Sequence, residues 1–218
     1  TEILDLEKKL RKYGVDYLNK FRVKYDNSVQ KTDKGAQLGA EVVTGIMEDT
    51  VEDWTNFRNA CLFLKAIGCE ANRTCGGHIH IGTNTLGVDK KAWEVFLKTW
   101  AEAEPLIYMI SNRRGEKTRN GVDRYAKLSD SFINRIDWKS EKIRSEEDLS
   151  RIAQQISYER GQHPHFWRYK GLNLTNVGVD GKNTVEFRLS NGSVDYSVWR
   201  ENMMLYGRMM QMAKMQSI

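Results

Sequence analysis

Two short stretches of this chain alternate polar and apolar residues one by one, and that alternation restricts the fold more than any other feature. Gly76 to Gly82 reads GGHIHIG, and Thr184 to Ser190 reads TVEFRLS. Residues two apart in a strand share a face, so His78 and His80 project together while Ile79 and Ile81 enter the opposite, buried layer. By the same parity Glu186 and Arg188 stand side by side, with Val185, Phe187 and Leu189 turned to the core. A third strand, Leu38 to Thr44 (LGAEVVT), carries Glu41 as an isolated charge inside an apolar run. Taken singly, an HxH pair or a Glu/Arg pair has a plain explanation as a solvated sheet face, and an exposed ion pair stabilises little. Three strands offering carboxylate, imidazole and carboxylate outweigh that explanation, and Gly76, Gly77 and Gly82 leave room for a ligand or a neighbouring backbone. Oxygen donors with one nitrogen suit Mg2+ or Mn2+ held partly by substrate phosphate, and no thiolate spacing supports structural zinc. Glu41, His78 and Glu186 are therefore expected on neighbouring strands, converging on one concave face.

The rest of the chain alternates helices with such strands. Ile3, Leu6, Leu10 and Tyr13 recur at helical spacing up to Gly14, and a strand follows around Phe21 to Tyr25. Asp49 or Thr50 caps a helix with Val51, Trp54, Phe57, Cys61 and Leu64 on one face, ended by Gly68. Asp89 caps a longer helix through Trp93, Phe96, Leu97 and Trp100, which Pro105 is placed to kink. Ser145 and Asp148 start a helix through Leu149, Ile152 and Ile156 in the manner of a capping box. Gly171 to Thr175 and Thr184 to Ser190, joined through Asp180, Gly181 and Asn183, read as an antiparallel hairpin. The last helix carries Val198, Met203, Leu205 and Met209 among its apolar positions. Its Met run reads as core or subunit-contact packing, which leaves a homo-oligomer open.

At 218 residues with two prolines and no repeat or low-complexity segment, the chain reads as a single domain, 1–218. No apolar run approaches eighteen residues, so no membrane partner is expected. Cys61, Cys69 and Cys75 form neither a disulfide framework nor a metal knuckle, which points to a reducing, cytoplasmic setting. The formal charge of +5 suits anionic ligands. No nucleic-acid partner is expected, because acidic residues interrupt the basic clusters and no stacking motif accompanies them. His163, Pro164, His165, Phe166 and Trp167 read as an aromatic turn packing beside Tyr169, without a ligand role.

The combination of GAEVVT, CGGHIHIG and NTVEFRLSNGSVD, with YDNSV before them and YKGLNL between, resembles the amidoligase family. That family belongs to the carboxylate-amine ligase superfamily of glutamine synthetase and glutamate-cysteine ligase. The resemblance runs from about Asp26 to Met210. It implies an α+β fold in which a curved antiparallel β-sheet has helices packed on its convex face. It also implies that Glu41, His78 and Glu186 bind divalent metal (Mg2+ or Mn2+), that His80 lies near the ATP, and that Arg188 contacts the transferred phosphoryl group. The loop from Asn112, Arg113 and Arg114 to Arg124 and Tyr125 resembles the family's second basic contribution to phosphate binding, which brings Arg113 and Arg124 to the nucleotide.

The implied activity is ATP-dependent formation of an amide or peptide-like bond. A small-molecule or peptide carboxylate takes the γ-phosphoryl group to give an acyl phosphate, and an amine then displaces phosphate. Glu186 and Arg188 are the expected catalytic pair. Family members open with a strand bearing two acidic residues one apart, a pattern that TEILDLEKKLRKYG, with its Glu2, does not reproduce. Ligase activity on this reading requires that strand to be supplied upstream. Two other readings stand beside it: a catalytically degenerate relative acting as a binding or assembly subunit, and a metal-dependent hydrolase using the HxH pair without nucleotide.

Overall fold

The computed structural model describes residues 21–30, 38–110 and 121–218. The helix expected over Ile3 to Tyr13 and the loop residues 111–120, Arg113 among them, lie outside the described residues. The chain divides into two compact units, one formed by Thr1–Cys75 with Gly192–Trp199 and the other by Gly76–Asn191 with Arg200–Ile218.

In the first unit, β1 (Phe21–Gln30) runs antiparallel to β2 (Leu38–Thr44). β1 is longer than its apolar pattern suggested, because the pairing extends past Tyr25 through an irregularity between Asp26 and Gln30. Helix α1 (Val51–Ala66) starts at Thr50, whose side chain accepts from Asp53 N; Asp49 instead accepts from the Trp54 indole at 2.7 Å. Phe57 and Cys61 are buried as expected, whereas Val51, in the first turn, is 85% exposed. Trp54 and Phe57 both pack against Tyr196.

The second unit is built on a three-stranded antiparallel sheet in the order β3 (Ile79–Gly82), β5 (Thr184–Phe187), β4 (Leu172–Asn173). β4 and β5 form the expected hairpin, in shorter form, with the connection turning at Gly178, Gly181 and Asn183, all at positive φ. Around the sheet lie α2 (Lys90–Ile110), two single-turn helices α3 (Val122–Tyr125) and α4 (Asp130–Ile133), and α5 (Glu146–Ser157). Asp89 caps α2 through Oδ1, and α2 continues through Pro105 to Ile110. Ser145 Oγ accepts from Asp148 N at 3.3 Å, and Asp148 answers by accepting from Arg144 N rather than from Ser145. The first four residues of α6 (Tyr196–Met215) belong to the first unit and the remainder to the second.

Packing under this sheet corrects the register read for α6. The buried positions are Val198, Asn202, Tyr206, Met210 and Ala213, while Met203, Leu205 and Met209 are only partly covered. The reason is aromatic: Tyr206 stacks flat on Phe187, with centroids 4.2 Å apart, and Trp100 packs on both rings at 5.2 and 5.9 Å. Phe96 meets Phe187 edge-on at 6.4 Å. A large flat side chain on one helix turn sets which neighbours face inward, and the flanking methionines accommodate it. Lys214 and Ser217 anchor the far end of α6 to Asp89 at 2.7 and 2.8 Å. The Lys214 hydrogen bond, opposed by modest burial and helped by the Ala92 amide, brings the Asp89 carboxyl down to about 2.

The architecture is α+β with antiparallel pairing in both sheets. Among the described residues no helix is long and apolar enough to cross a membrane. Phe187 is the common neighbour of the three other rings, so Phe187→Ala is expected to cost about 3–5 kcal/mol in urea unfolding. A loss below about 1 kcal/mol would show that those rings repack without it.

Candidate active site

β5 is the central strand, and every residue from Val185 through its end to Ser190 is buried. Its pairing puts Ile79, Phe187 and Leu172 in line across the sheet on the aromatic side, and His80, Glu186 and Asn173 in line on the other. The parity inferred from the sequence is therefore the parity of the structure. Beyond β3 the ladder is irregular: Ile79 pairs with Phe187, but Gly76 bridges to Asn191, so three steps along one strand answer four along the other. The additional residue falls on the β5 side, between Phe187 and Asn191. Extra residues of this kind re-aim side chains next to functional sites.

Four of the expected site residues come together here. Arg188 Nη1 donates to Glu186 Oε1 at 2.5 Å. The same oxygen lies 3.5 Å from His78 Nδ1 and 3.8 Å from His80 Nε2. His80 Nδ1 sits 3.3 Å from Thr184 Oγ1, and its side chain is half exposed, whereas Glu186 and Arg188 are buried. Burial pushes the Glu186 carboxyl upward, but the Arg188 guanidinium, then His78 and His80, and the Asn173 hydrogen bond outweigh it and hold it below its ordinary value. The carboxylate is thus anionic in a place where a lone carboxylate would not be.

Arg188 is fixed at two further points. Its Nε donates to the Tyr125 carbonyl at 3.3 Å, and its guanidinium lies 5.7 Å from the Tyr169 ring centre. Tyr169 also receives Arg168 at 5.2 Å and meets Tyr125 edge-on at 5.4 Å. Arg124, exposed at the end of α3, is the chain neighbour of the carbonyl that holds Arg188, and it packs over Tyr125 at 5.3 Å. His165 and Phe166 pack on Tyr169 as the aromatic turn expected from the sequence. Glu41 stands partly exposed on β2 in the first unit, opposite Lys24 in the strand register.

An ionised carboxylate with two imidazoles around one oxygen has the donor chemistry of a divalent-cation site. Among the described residues no group of three or more His, Cys, Asp or Glu is arranged as a metal cage. These residues would serve at most as partial ligation, with waters and substrate phosphate completing the shell of an oxygen-preferring ion such as Mg2+.

Three residues near this site escaped the sequence reading. Asn173 lies within the quoted YKGLNL but looked like one more polar strand residue; it donates to Glu186 Oε2 at 2.5 Å. Lys170, in the same segment, is a buried amine whose Nζ donates to the Ser157 and Trp167 carbonyls and sits 4.2 Å from the Phe132 ring centre. Burial, against the pull of Glu159, brings it down to about 8. Glu104 on α2 is fully buried, and its Oε2 accepts from Ser129 N at 2.5 Å and Asp130 N at 3.2 Å. A Glu on the AEAEPL turn of an amphipathic helix carries no signal of burial.

Desolvation, only partly offset by the Ser129 and Asp130 amides, lifts the Glu104 carboxyl from 4.5 to about 7. The folded state therefore keeps this proton to a higher pH than the unfolded chain does. Stability falls as pH rises through the window between those values, by roughly 3 kcal/mol at 1.36 kcal/mol per pH unit. Urea unfolding between pH 4.5 and 7.5 is expected to show this decline in the parent and to lose that component in Glu104→Gln. Equal slopes in both proteins would place the Glu104 proton elsewhere.

A family model described as "Putative amidoligase enzyme" matches residues 2–210. No curated protein and no solved structure matches the chain.

Proposed function

The chain belongs to the amidoligase family, a family of ligase-type enzymes, and from that membership we propose that it is an ATP-dependent carboxylate-amine ligase acting through an acyl phosphate. The observation that supports this reading is the buried Glu186 carboxylate, kept ionised beside Arg188 with two imidazoles near the same oxygen. Phosphoryl transfer asks a protein mainly for positioning and for compensation of phosphate charge, and a paired carboxylate, guanidinium and imidazole set serves both needs.

In this reading the substrate carboxylate oxygen attacks the γ-phosphorus of ATP, ADP leaves, and the amine then attacks the activated acyl carbon, releasing phosphate. Arg188 presents its guanidinium to phosphate oxygens while Tyr125 and Tyr169 hold its plane. His80, the exposed imidazole, faces the nucleotide side, and Arg124 adds positive charge beside Arg188. Glu186 and His78 would hold the divalent cation, which when bound neutralises charge on the phosphates. The reading also carries the curved antiparallel sheet expected of the family, and small-molecule or peptide carboxylates and amines as substrates.

Arg188→Lys separates this role from simple charge pairing. Lysine keeps the charge but cannot hold Glu186, the Tyr125 carbonyl and a phosphate oxygen in one plane. The variant is expected to fold and to lose about 100-fold or more in turnover, the scale seen when one transition-state donor is removed. Turnover is measured as ATP-dependent phosphate release in the presence of carboxylate panels, with hydroxylamine trapping the activated acyl group. Parent-like rates in the variant would reduce Arg188 to a structural partner of Glu186. Bond cleavage that needs no nucleotide would replace the ligase with the metal-dependent hydrolase.

A further inference from the structure

Glu186 makes a second hydrogen bond that the chemistry above leaves unused. Asn173 Nδ2 donates to its Oε2, while Asn173 Oδ1 is occupied by Thr175 N at 2.9 Å. With the amide oxygen committed, only the nitrogen can face the carboxylate. Asn173 lies on β4, the edge strand of the sheet, and an edge strand has backbone groups on its outer side with no ladder partner. Buried groups of that kind need partners. Here the chain before α4 supplies them: Lys127 N donates to Tyr169 O at 3.1 Å, and Gly171 N donates to Lys127 O at 2.6 Å. The backbone then turns away into α4, and a side chain continues the ladder. Ser129 Oγ accepts from Leu172 N at 3.0 Å and lies 3.5 Å from Leu172 O. Ser129 is wholly buried, and its own N–H is the one donated to Glu104 Oε2.

We infer that Asn173 is a positioning residue of the site, and that Glu104 and Ser129 form a buried clamp that holds it, so that the direction of the Glu186 carboxylate is set from the core. With Oε2 tied to Asn173, rotation of the carboxylate is blocked, and Oε1 is the oxygen left to Arg188 and the two imidazoles. The clamp also accounts for a carboxyl buried against its own preference: a single-turn helix of four residues does not by itself require a buried carboxyl at its start.

The inference rests on Glu186 and Arg188 being the chemical pair of the proposed ligase, but its test uses neither nucleotide nor substrate. In nitrogen-15 NMR of the unaltered protein, the Arg188 Nη signals are expected to be separately resolved by slow rotation about Nε–Cζ. One Asn173 Nδ2 proton is expected well downfield of its twin. Asn173→Ala, Ser129→Ala and Glu104→Leu should each bring the Arg188 signals into fast exchange while the backbone amides of β3 and β5 keep their positions. Glu104→Gln, which retains an acceptor oxygen for Ser129, should preserve slow exchange. Arg188 signals unchanged in a folded Asn173→Ala protein would overturn the inference. So would equivalent Asn173 amide protons in the unaltered protein, a reading available even if a variant fails to fold. Absence of ATP-dependent phosphate release alongside the expected spectra would remove the ligase assignment and leave the clamp standing.

Discussion

A carboxylate and a guanidinium buried side by side on the central strand are the interaction around which the second unit is arranged. Taking either charge out of water alone is expensive, and their attraction repays the cost only when the geometry is good and the remaining donors and acceptors are met. Glu186 meets that condition through Arg188 on one oxygen and Asn173 on the other, and Arg188 meets it through the Tyr125 carbonyl and the Tyr169 face. Each of these partners comes from a different segment. The ion pair therefore ties β4, α3 and the aromatic turn to β5, and the site cannot be loosened at one of them without affecting the others.

The opposite face of the same strand explains why such a pair can be held at all. Phe187, between Glu186 and Arg188 in sequence, is stacked on Tyr206 and flanked by Trp100 and Phe96, so the strand is fixed by dispersion and area burial on one side while it presents charge on the other. Rigidity of this kind is what the proposed phosphoryl transfer would need, since the protein's contribution there is placement rather than covalent chemistry. The exposed edge of the arrangement lies at His80, the one member of the cluster with about half of its side chain open to solvent.

Polar groups hidden in the core carry the rest of the organisation. Ser129 replaces a missing neighbour strand, Glu104 replaces the cap that a four-residue helix lacks, and Lys170 closes the carbonyls of Ser157, at the end of α5, and Trp167 at once. Each makes its hydrogen bonds to backbone groups. Such contacts give the turns between β4, α4 and α5 one geometry, at the expense of placing titratable groups where their ordinary charge states are disfavoured.

The sequence by itself determined the elements and the faces: period-two alternation in HIHIG and TVEFRL is enough to put His80, Glu186 and Arg188 on one side of a sheet and Ile79 and Phe187 on the other, because side-chain direction in a strand follows from the backbone. It determined equally the caps at Asp89 and Ser145, narrowed that of α1 to Asp49 or Thr50, and supplied the motif set that carries the family resemblance. Tertiary structure alone decided the register of α6, since any of several methionine-rich stripes is apolar enough and only the stacking of Tyr206 on Phe187 selects one. It alone decided that Asn173, rather than another polar strand residue, completes the Glu186 carboxylate, and that Glu104 is buried on a helix whose pattern predicts nothing of the kind. These contacts join residues 104, 129, 173 and 186, and long-range complementarity of single polar atoms leaves no periodic trace in a chain for local reasoning to read.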